Sequence, residues 1–207
     1  MLSIKRLIMF SALAIHVMVL PMGWIGEKTP FMYAAEKGDT KQMQALIDAG
    51  ADVNAIEGCD WPRAGYPVLR HAIDSGSIDA VKLLLECGAD PNQHTTSPII
   101  MRDPSRSGAN VRNLPLLSHA VRSHVSDGIV KLLIAHGADV NQKTICNEWT
   151  PLMVAAYVGD LAAMQLLITV GADQHAVNSC DGNRTASAYA GESGLRWFAS
   201  LETFVKP

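Results

Sequence analysis

A chain of 207 residues has the length of one domain or of two small ones. Being 48% apolar and 18% charged, it is neither wholly disordered nor collagen-like. A formal net charge of −3 excludes a basic nucleic-acid footprint spread over the whole chain, and four cysteines are too few for a disulfide-built scaffold.

The first element is a targeting segment. Lys5 and Arg6 are the only charges before Glu27, and residues 7–26 read as a nearly unbroken apolar run. Two basic residues ahead of such a run predict either a cleaved export signal or a retained inner-membrane anchor. No small-x-small cleavage site closes the run. Both readings leave Lys5 and Arg6 in the cytoplasm and residues 27–207 beyond it, in the periplasm or exported further. The exported part carries about five more acidic than basic side chains.

Next comes a series of similar units. Thr29-Pro30-Phe31-Met32-Tyr33-Ala34-Ala35 predicts a short helix, with Thr29 as N-cap and Pro30 in the first helical position. Gly38 breaks it and Asp39 caps a second helix bearing Met43, Leu46 and Ile47 at helical spacing. Gly50-Ala51-Asp52 ends that helix and turns the chain into a hairpin. The same order returns with Pro67 to Ile73, Gly76, Ser77 and Gly88-Ala89-Asp90. It returns again with Pro115 to Val121 and Gly137-Ala138-Asp139, where an extra residue falls around Val125 to Gly128. A fourth copy runs from Thr150 to Ala156, through Gly159 and Asp160, to Gly171-Ala172-Asp173. A fifth, degraded copy opens at Thr185-Ala186, carries Trp197, Phe198 and Leu201, and lacks a closing Gly-Ala-Asp. The units therefore span about 29–61, 67–113, 115–149, 150–184 and 185–204. No single helix pair can bury its own apolar face, so the units must stack.

The Thr-Pro-Leu-x-x-Ala and Gly-Ala-Asp-x-Asn motifs make the chain similar to ankyrin repeats over nearly all of 27–207. The departures are Met32 and Met153 at the usual His, and Pro67-Val68 and Pro115-Leu116 at the usual Thr-Pro. The resemblance implies an all-α solenoid of about five helix-pair units with hairpin loops, here preceded by the hydrophobic N-terminal segment. It implies a protein-binding module without catalysis, whose hairpin tips and exposed first-helix sides form a concave surface.

Carried onto this chain, the variable hairpin positions include Arg63, Ala64, Tyr66, Asn147, Trp149 and Arg184. The first-helix positions are Glu36 and Lys37, Asp74 and Ser75, Arg122 and Ser123, Tyr157 and Val158, Glu192 and Ser193. Trp61, Arg63, Tyr66, Arg122, Trp149 and Tyr157 are the anchor candidates, because Trp, Tyr and Arg dominate binding hot spots. Trp61 and Trp149 have a second reading, as wedges between hairpins. The spacing of 49 residues between Gly88 and Gly137 exceeds its neighbours of 38 and 34, and the surplus carries Ile99, Ile100, Met101 and Arg102. An apolar triplet beside a basic residue suits insertion into a partner, or folding back over the chain's own groove.

Sequence motifs for chemistry are missing: there is no Gly-x-Ser-x-Gly, no His-Glu-x-x-His and no phosphate-binding glycine loop. His71 and His119 fall at equivalent repeat positions and show no metal-ligand spacing. No cofactor or metal is expected. Cys146 and Cys180 are one repeat apart and suit a bridge between adjacent hairpins in an oxidising compartment, with buried free thiols the alternative and Cys87 its best case. The leading functional expectation is a monomeric, exported module that neutralises or chaperones another envelope protein, such as an immunity partner of a secreted phospholipase-type toxin. A periplasmic scaffold for catalase-associated oxidative-stress defence and a secreted host-directed effector are the alternatives.

Overall fold

A computed structural model describes residues 28–57, 65–95, 114–144 and 148–192. Residues 1–26, with the expected targeting segment, lie outside this set. Among the described residues no helix is long and apolar enough to cross a membrane.

Four helix pairs follow one another: α1 (Pro30–Glu36) with α2 (Thr40–Asp48), α3 (Val68–Asp74) with α4 (Ile78–Glu86), α5 (Leu116–Arg122) with α6 (Asp127–Ala135), and α7 (Pro151–Val158) with α8 (Leu161–Thr169). A three-residue 3-10 turn (Ser179–Asp181) then leads to α9 (Ala186–Glu192). Odd-numbered helices stack on one another as an inner row, even-numbered ones as an outer row. Between units the described chain has no extended strand, only single antiparallel bridges at Ile56–Pro67, His94–Pro115 and Asn178–Arg184.

The caps explain where the helices begin. Thr29 and Thr150 accept hydrogen bonds from the backbone N–H groups of Met32 and Met153, both at 3.3 Å. Asp39, Ser77, Ser126 and Asp160 cap the outer helices in the same manner. Pro67 and Pro115 have no capping side chain, yet α3 and α5 start where the repeat requires. The reason is local. Val68 and Leu116 stand where Pro30 and Pro151 stand, so they bring an N–H that proline lacks. Those N–H groups are satisfied by the preceding hairpins, Val68 by Ala55 O at 3.0 Å and Leu116 by Gln93 O at 3.2 Å.

The extra residue of the third unit is also placed. His124 (φ +49°) takes the left-handed position held by Gly38, Gly76 and Gly159 in the other units. Val125 is the residue gained, and it packs partly buried against the core. A left-handed non-glycine residue costs on the order of 1 kcal/mol, which burial of Val125 can offset.

Inner helices are buried on most sides. Leu152 to Ala156 of α7 are all interior, and the small pairs Ala34-Ala35 and Ala155-Ala156 are fully enclosed. Outer helices bury a stripe, for example Ala80, Val81, Leu84 and Leu85 on α4. Each fully buried leucine or isoleucine contributes about 1.5–3 kcal/mol, and these layers form one continuous core.

The asparagine of each Gly-Ala-Asp-x-Asn motif ties its unit to the next. Asn54 accepts from Asp90 N–H at 2.8 Å and donates to Gly88 O at 3.3 Å. Asn92 repeats this with Asp139 N–H and Gly137 O, and Asn141 accepts from Asp173 N–H at 2.8 Å. The fourth motif carries His175 instead of asparagine, at the point where no further Gly-Ala-Asp follows.

Two hairpin stems share one geometry. Thr95 and Leu114 are joined by Thr95 N–H to Leu114 O at 2.9 Å and Leu114 N–H to Thr95 Oγ1 at 3.3 Å. Thr144 and Trp149 make the same two bonds, both at 2.9 Å. The residues that flank the long insertion therefore form the same buried stem as those of the shorter connection.

Candidate functional site

Helix geometry sets which side chains reach the open face of the inner row. The core side of each inner helix is taken by packing, which leaves the position one turn before the outer helix exposed. From unit to unit this register position holds Glu36, Asp74, Arg122 and Tyr157, all exposed. The row changes character along the array, from two carboxylates to a guanidinium to a phenol. Tyr33 adds a second exposed ring on α1.

At the first unit Lys28 Nζ donates to both carboxylate oxygens of Glu36 at 2.9 Å. That pair raises the Lys28 ammonium and holds the Glu36 carboxyl below its ordinary value. Being largely open to solvent, it contributes little to stability.

The second and third units meet through a charged cluster. His119 Nε2–H on α5 donates to Asp74 Oδ1 on α3 at 2.6 Å. Arg70 Nε lies 3.4 Å from Asp74 Oδ2, and the Arg70 guanidinium stacks over the Tyr66 ring with its carbon 3.5 Å from the centroid. Burial alone would push the Asp74 carboxyl up. The His119 hydrogen bond, with the charges of His119 and Arg70, overcomes this and holds it below the usual carboxylate range.

Beside this cluster His71 is enclosed, with its side chain 6% exposed, and its Nε2 lies 3.5 Å from Glu57 Oε2 without a hydrogen bond. Burial, the largest influence, lowers His71 below the ordinary histidine value, and Glu57 opposes the shift.

The far end of the array is aromatic. Trp149 is 4% exposed, packs edge-on against Tyr157 (centroids 5.3 Å apart) and lies tilted on Tyr189 at 4.4 Å. Tyr189 donates its hydroxyl hydrogen to Asp181 at 2.8 Å and accepts from Asn178 Nδ2 at 3.0 Å. Burial first, then the hydrogen bond to Asp181, pushes its phenol up to about 12. Arg184 covers the ring with its guanidinium carbon 4.6 Å from the centroid and reaches Asp181 at 3.5 Å. Glu148 accepts from Ser179 Oγ–H and Ser179 N–H, and these bonds hold its carboxyl low.

Of the candidates drawn from sequence, Asp74, Arg122 and Tyr157 stand on the open face, and Tyr66 lies half-buried under Arg70. Trp149 is corrected: its ring is enclosed between Tyr157 and Tyr189, so it is the wedge of the second reading and offers a partner no surface. Arg184 is half-buried and engaged with Asp181 and Tyr189. Trp61, Arg63, Ile99, Ile100, Met101, Arg102 and Asn147 lie outside the described residues. So does Cys146, while its suggested partner Cys180 is exposed in the 3-10 turn. Cys87 is exposed rather than buried, because it follows α4 on the solvent side.

Sequence reading missed Arg70, His119, Glu57 and Tyr189 as parts of this face. The spacing of Arg70 to Asp74, one helical turn, was the available signal for the first. Among the described residues no group of His, Cys, Asp and Glu could hold a metal ion.

The family model described as ankyrin repeats (3 copies) matches residues 4–95 and 117–201. The mouse 2-5A-dependent ribonuclease is 38% identical over 33% of this chain and 9% of its own length. A putative ankyrin repeat protein of Rickettsia felis is 34% identical over 58% of this chain and 47% of its own. One from Treponema pallidum is 32% identical over 53% and 33%. The chain thus spans from about a tenth to about half the length of these relatives.

Proposed function

We propose that this chain, which belongs to the ankyrin-repeat family, is an exported module that grips another envelope protein and neutralises or chaperones it. Ankyrin repeats are protein–protein interaction modules, and that coarse function comes with the family. The finer reading is supported by two features of the chain. One is the Lys5-Arg6 pair ahead of the apolar run 7–26, which suits export or inner-membrane anchoring. The other, which carries the reading, is the graded row Glu36, Asp74, Arg122 and Tyr157 on the open face of the inner helices.

A row that runs from carboxylate to guanidinium to phenol reads a partner directionally. Charge at one end fixes orientation and the aromatic end supplies contact area. A polypeptide laid along it is the occupant that suits a groove four helices wide. Such a module acts as a monomer by occlusion, without turnover, and an immunity partner of a secreted phospholipase-type toxin is the case we favour.

The test has two arms. Fractionation of the tagged full chain in its native host should place it in the envelope; recovery in the cytoplasm would remove the export half of the reading. Co-purification from envelope extract, repeated with Arg122→Ala and Tyr157→Ala together, should lose the partner while the melting transition stays in place. A partner retained by the double variant would move binding off this row.

A further inference from the structure

His71 and His119 occupy the same repeat position on α3 and α5, and each turns Nε2 toward a carboxylate supplied by the preceding unit. The two contacts differ in length. His119 is hydrogen-bonded to Asp74 at 2.6 Å, whereas His71 Nε2 stops 3.5 Å short of Glu57 and is left buried without a hydrogen bond. One molecule thus holds the same device closed at one joint and open at the next. We propose that the joint between the first and second units is a proton-closed clasp: proton uptake at His71 draws the Glu57 carboxylate into the hydrogen bond that His119 and Asp74 already make. A buried imidazolium needs a partner, and the carboxylate at 3.5 Å is the nearest acceptor placed to provide one.

The surroundings set when the clasp closes. Facing His71 are Glu57 and Tyr66 from the hairpin, Lys28 and Glu36 from the first unit, and Arg70 and Asp74 from its own helix, with His119 of α5 beyond them. Glu57 and Glu36 favour the proton; Lys28, Arg70 and above all burial oppose it. Closure therefore takes place on the acid side of the ordinary histidine range, near 6.5. Its consequence is local. Glu57 N–H donates to Tyr66 O at 3.0 Å, so a drawn-in Glu57 tightens the hairpin stem and moves Tyr66, over which Arg70 is stacked. A compartment whose acidity follows the outside medium would tune the groove through this joint. This inference is a regulation of the face described above and rests on that reading only for its effect on binding; the clasp itself is measured without a partner.

The experiment follows histidine ring carbons by NMR in the full-length chain from pH 8 to 4.5. His71 is assigned by its loss in His71→Gln, and amide exchange at Glu57 is followed alongside. Wild type should titrate His71 below the ordinary range, with a rising protection factor at the Glu57 amide (exchange relative to its intrinsic rate at each pH) as the ring charges. Glu57→Gln should weaken proton affinity at His71 threefold or more and abolish the rise in protection. Glu57→Asp, which keeps the charge on a shorter stem, should fall between. An unchanged His71 midpoint in Glu57→Gln, or a Glu57 protection factor that falls on acidification of the wild type, would overturn the clasp. If the clasp titrates as described but partner affinity ignores pH, the clasp stands, its control of binding falls, and the binding row is left to its own test.

Discussion

The joint between the second and third units and the joint between the fourth and fifth have the same helical plan and different adhesives. In the first, Arg70, Asp74 and His119 meet beside the open face of the inner row, partly open to water. In the second, Trp149 and Tyr189 are buried ring against ring, with Tyr157 capping them from the open face. Partly exposed ion pairs contribute little net free energy, because hydration offsets attraction. Buried aromatic surface contributes several kcal/mol. The array is thus built with a polar, adjustable first half and a rigid second half.

Removing the aromatic wedge is the strongest way to break this contrast. Trp149→Ala should cost about 3–5 kcal/mol, since it deletes a buried indole and opens a cavity against Tyr157 and Tyr189. Urea unfolding should show this loss, with α9 releasing first in amide exchange. A change under about 1 kcal/mol would mean that the ring is not enclosed. Asp74→Asn at the ionic joint should cost far less, and that inequality is the sharper form of the comparison.

The asparagine ladder is a control for the first three joints, each of which it serves with the same bond to the next unit. Asn54→Ala, Asn92→Ala and Asn141→Ala each strip a backbone N–H at the next unit of its acceptor, at about 1–2 kcal/mol apiece. Near-equal losses would show that the scaffold is even across the first three joints. A loss confined to one position would show that the scaffold itself is uneven.

Much of this was legible in the chain, for a physical reason. Caps and left-handed glycines act within a few residues, so Thr29, Asp39, Asp160 and the four Gly-Ala-Asp turns can be read where they stand. The partner of the added N–H at the start of α3 and α5 was not legible. Val68 and Leu116 find carbonyls in the preceding hairpin, and nothing in Pro67-Val68 says so. The site was harder still. Asp74 and His119 are 45 residues apart, and only stacking brings them together. Trp149 was misread as a surface anchor because the ring that covers it, Tyr189, comes from a unit whose repeat signature is degraded.

Acid should separate the two halves. His71 is lowered in the folded chain, so the unfolded chain binds its proton first; stability is full above the ordinary histidine range near 6.5 and falls as pH drops through it. Asp74 is also lowered, so its contribution persists until the pH falls through the carboxylate range near 4 and is then lost. Urea midpoints between pH 8 and 3.5 should decline in two steps. His71→Gln should remove the upper step and Asp74→Asn should blunt the lower one. Neither substitution should alter the packing of Trp149, read by its fluorescence. A single step unaffected by either change would make the ionic half no more titratable than the aromatic one.

The smallest effect on stability is expected at Tyr157, and it is the most informative about function. Tyr157 is 44% exposed and, among the described residues, its one aromatic contact is the edge-on packing with Trp149, so Tyr157→Ala should cost under about 1 kcal/mol. The same substitution removes the aromatic end of the row Glu36, Asp74, Arg122 and Tyr157. A ring held rigidly by a buried indole loses little freedom when a partner covers it, which is the property that makes tyrosine a hot spot. Partner affinity should therefore fall tenfold or more while the melting temperature moves by a few degrees at most. If affinity and stability instead fall together, Tyr157 belongs with Trp149 to the core, and the binding face extends no further along the array than Arg122.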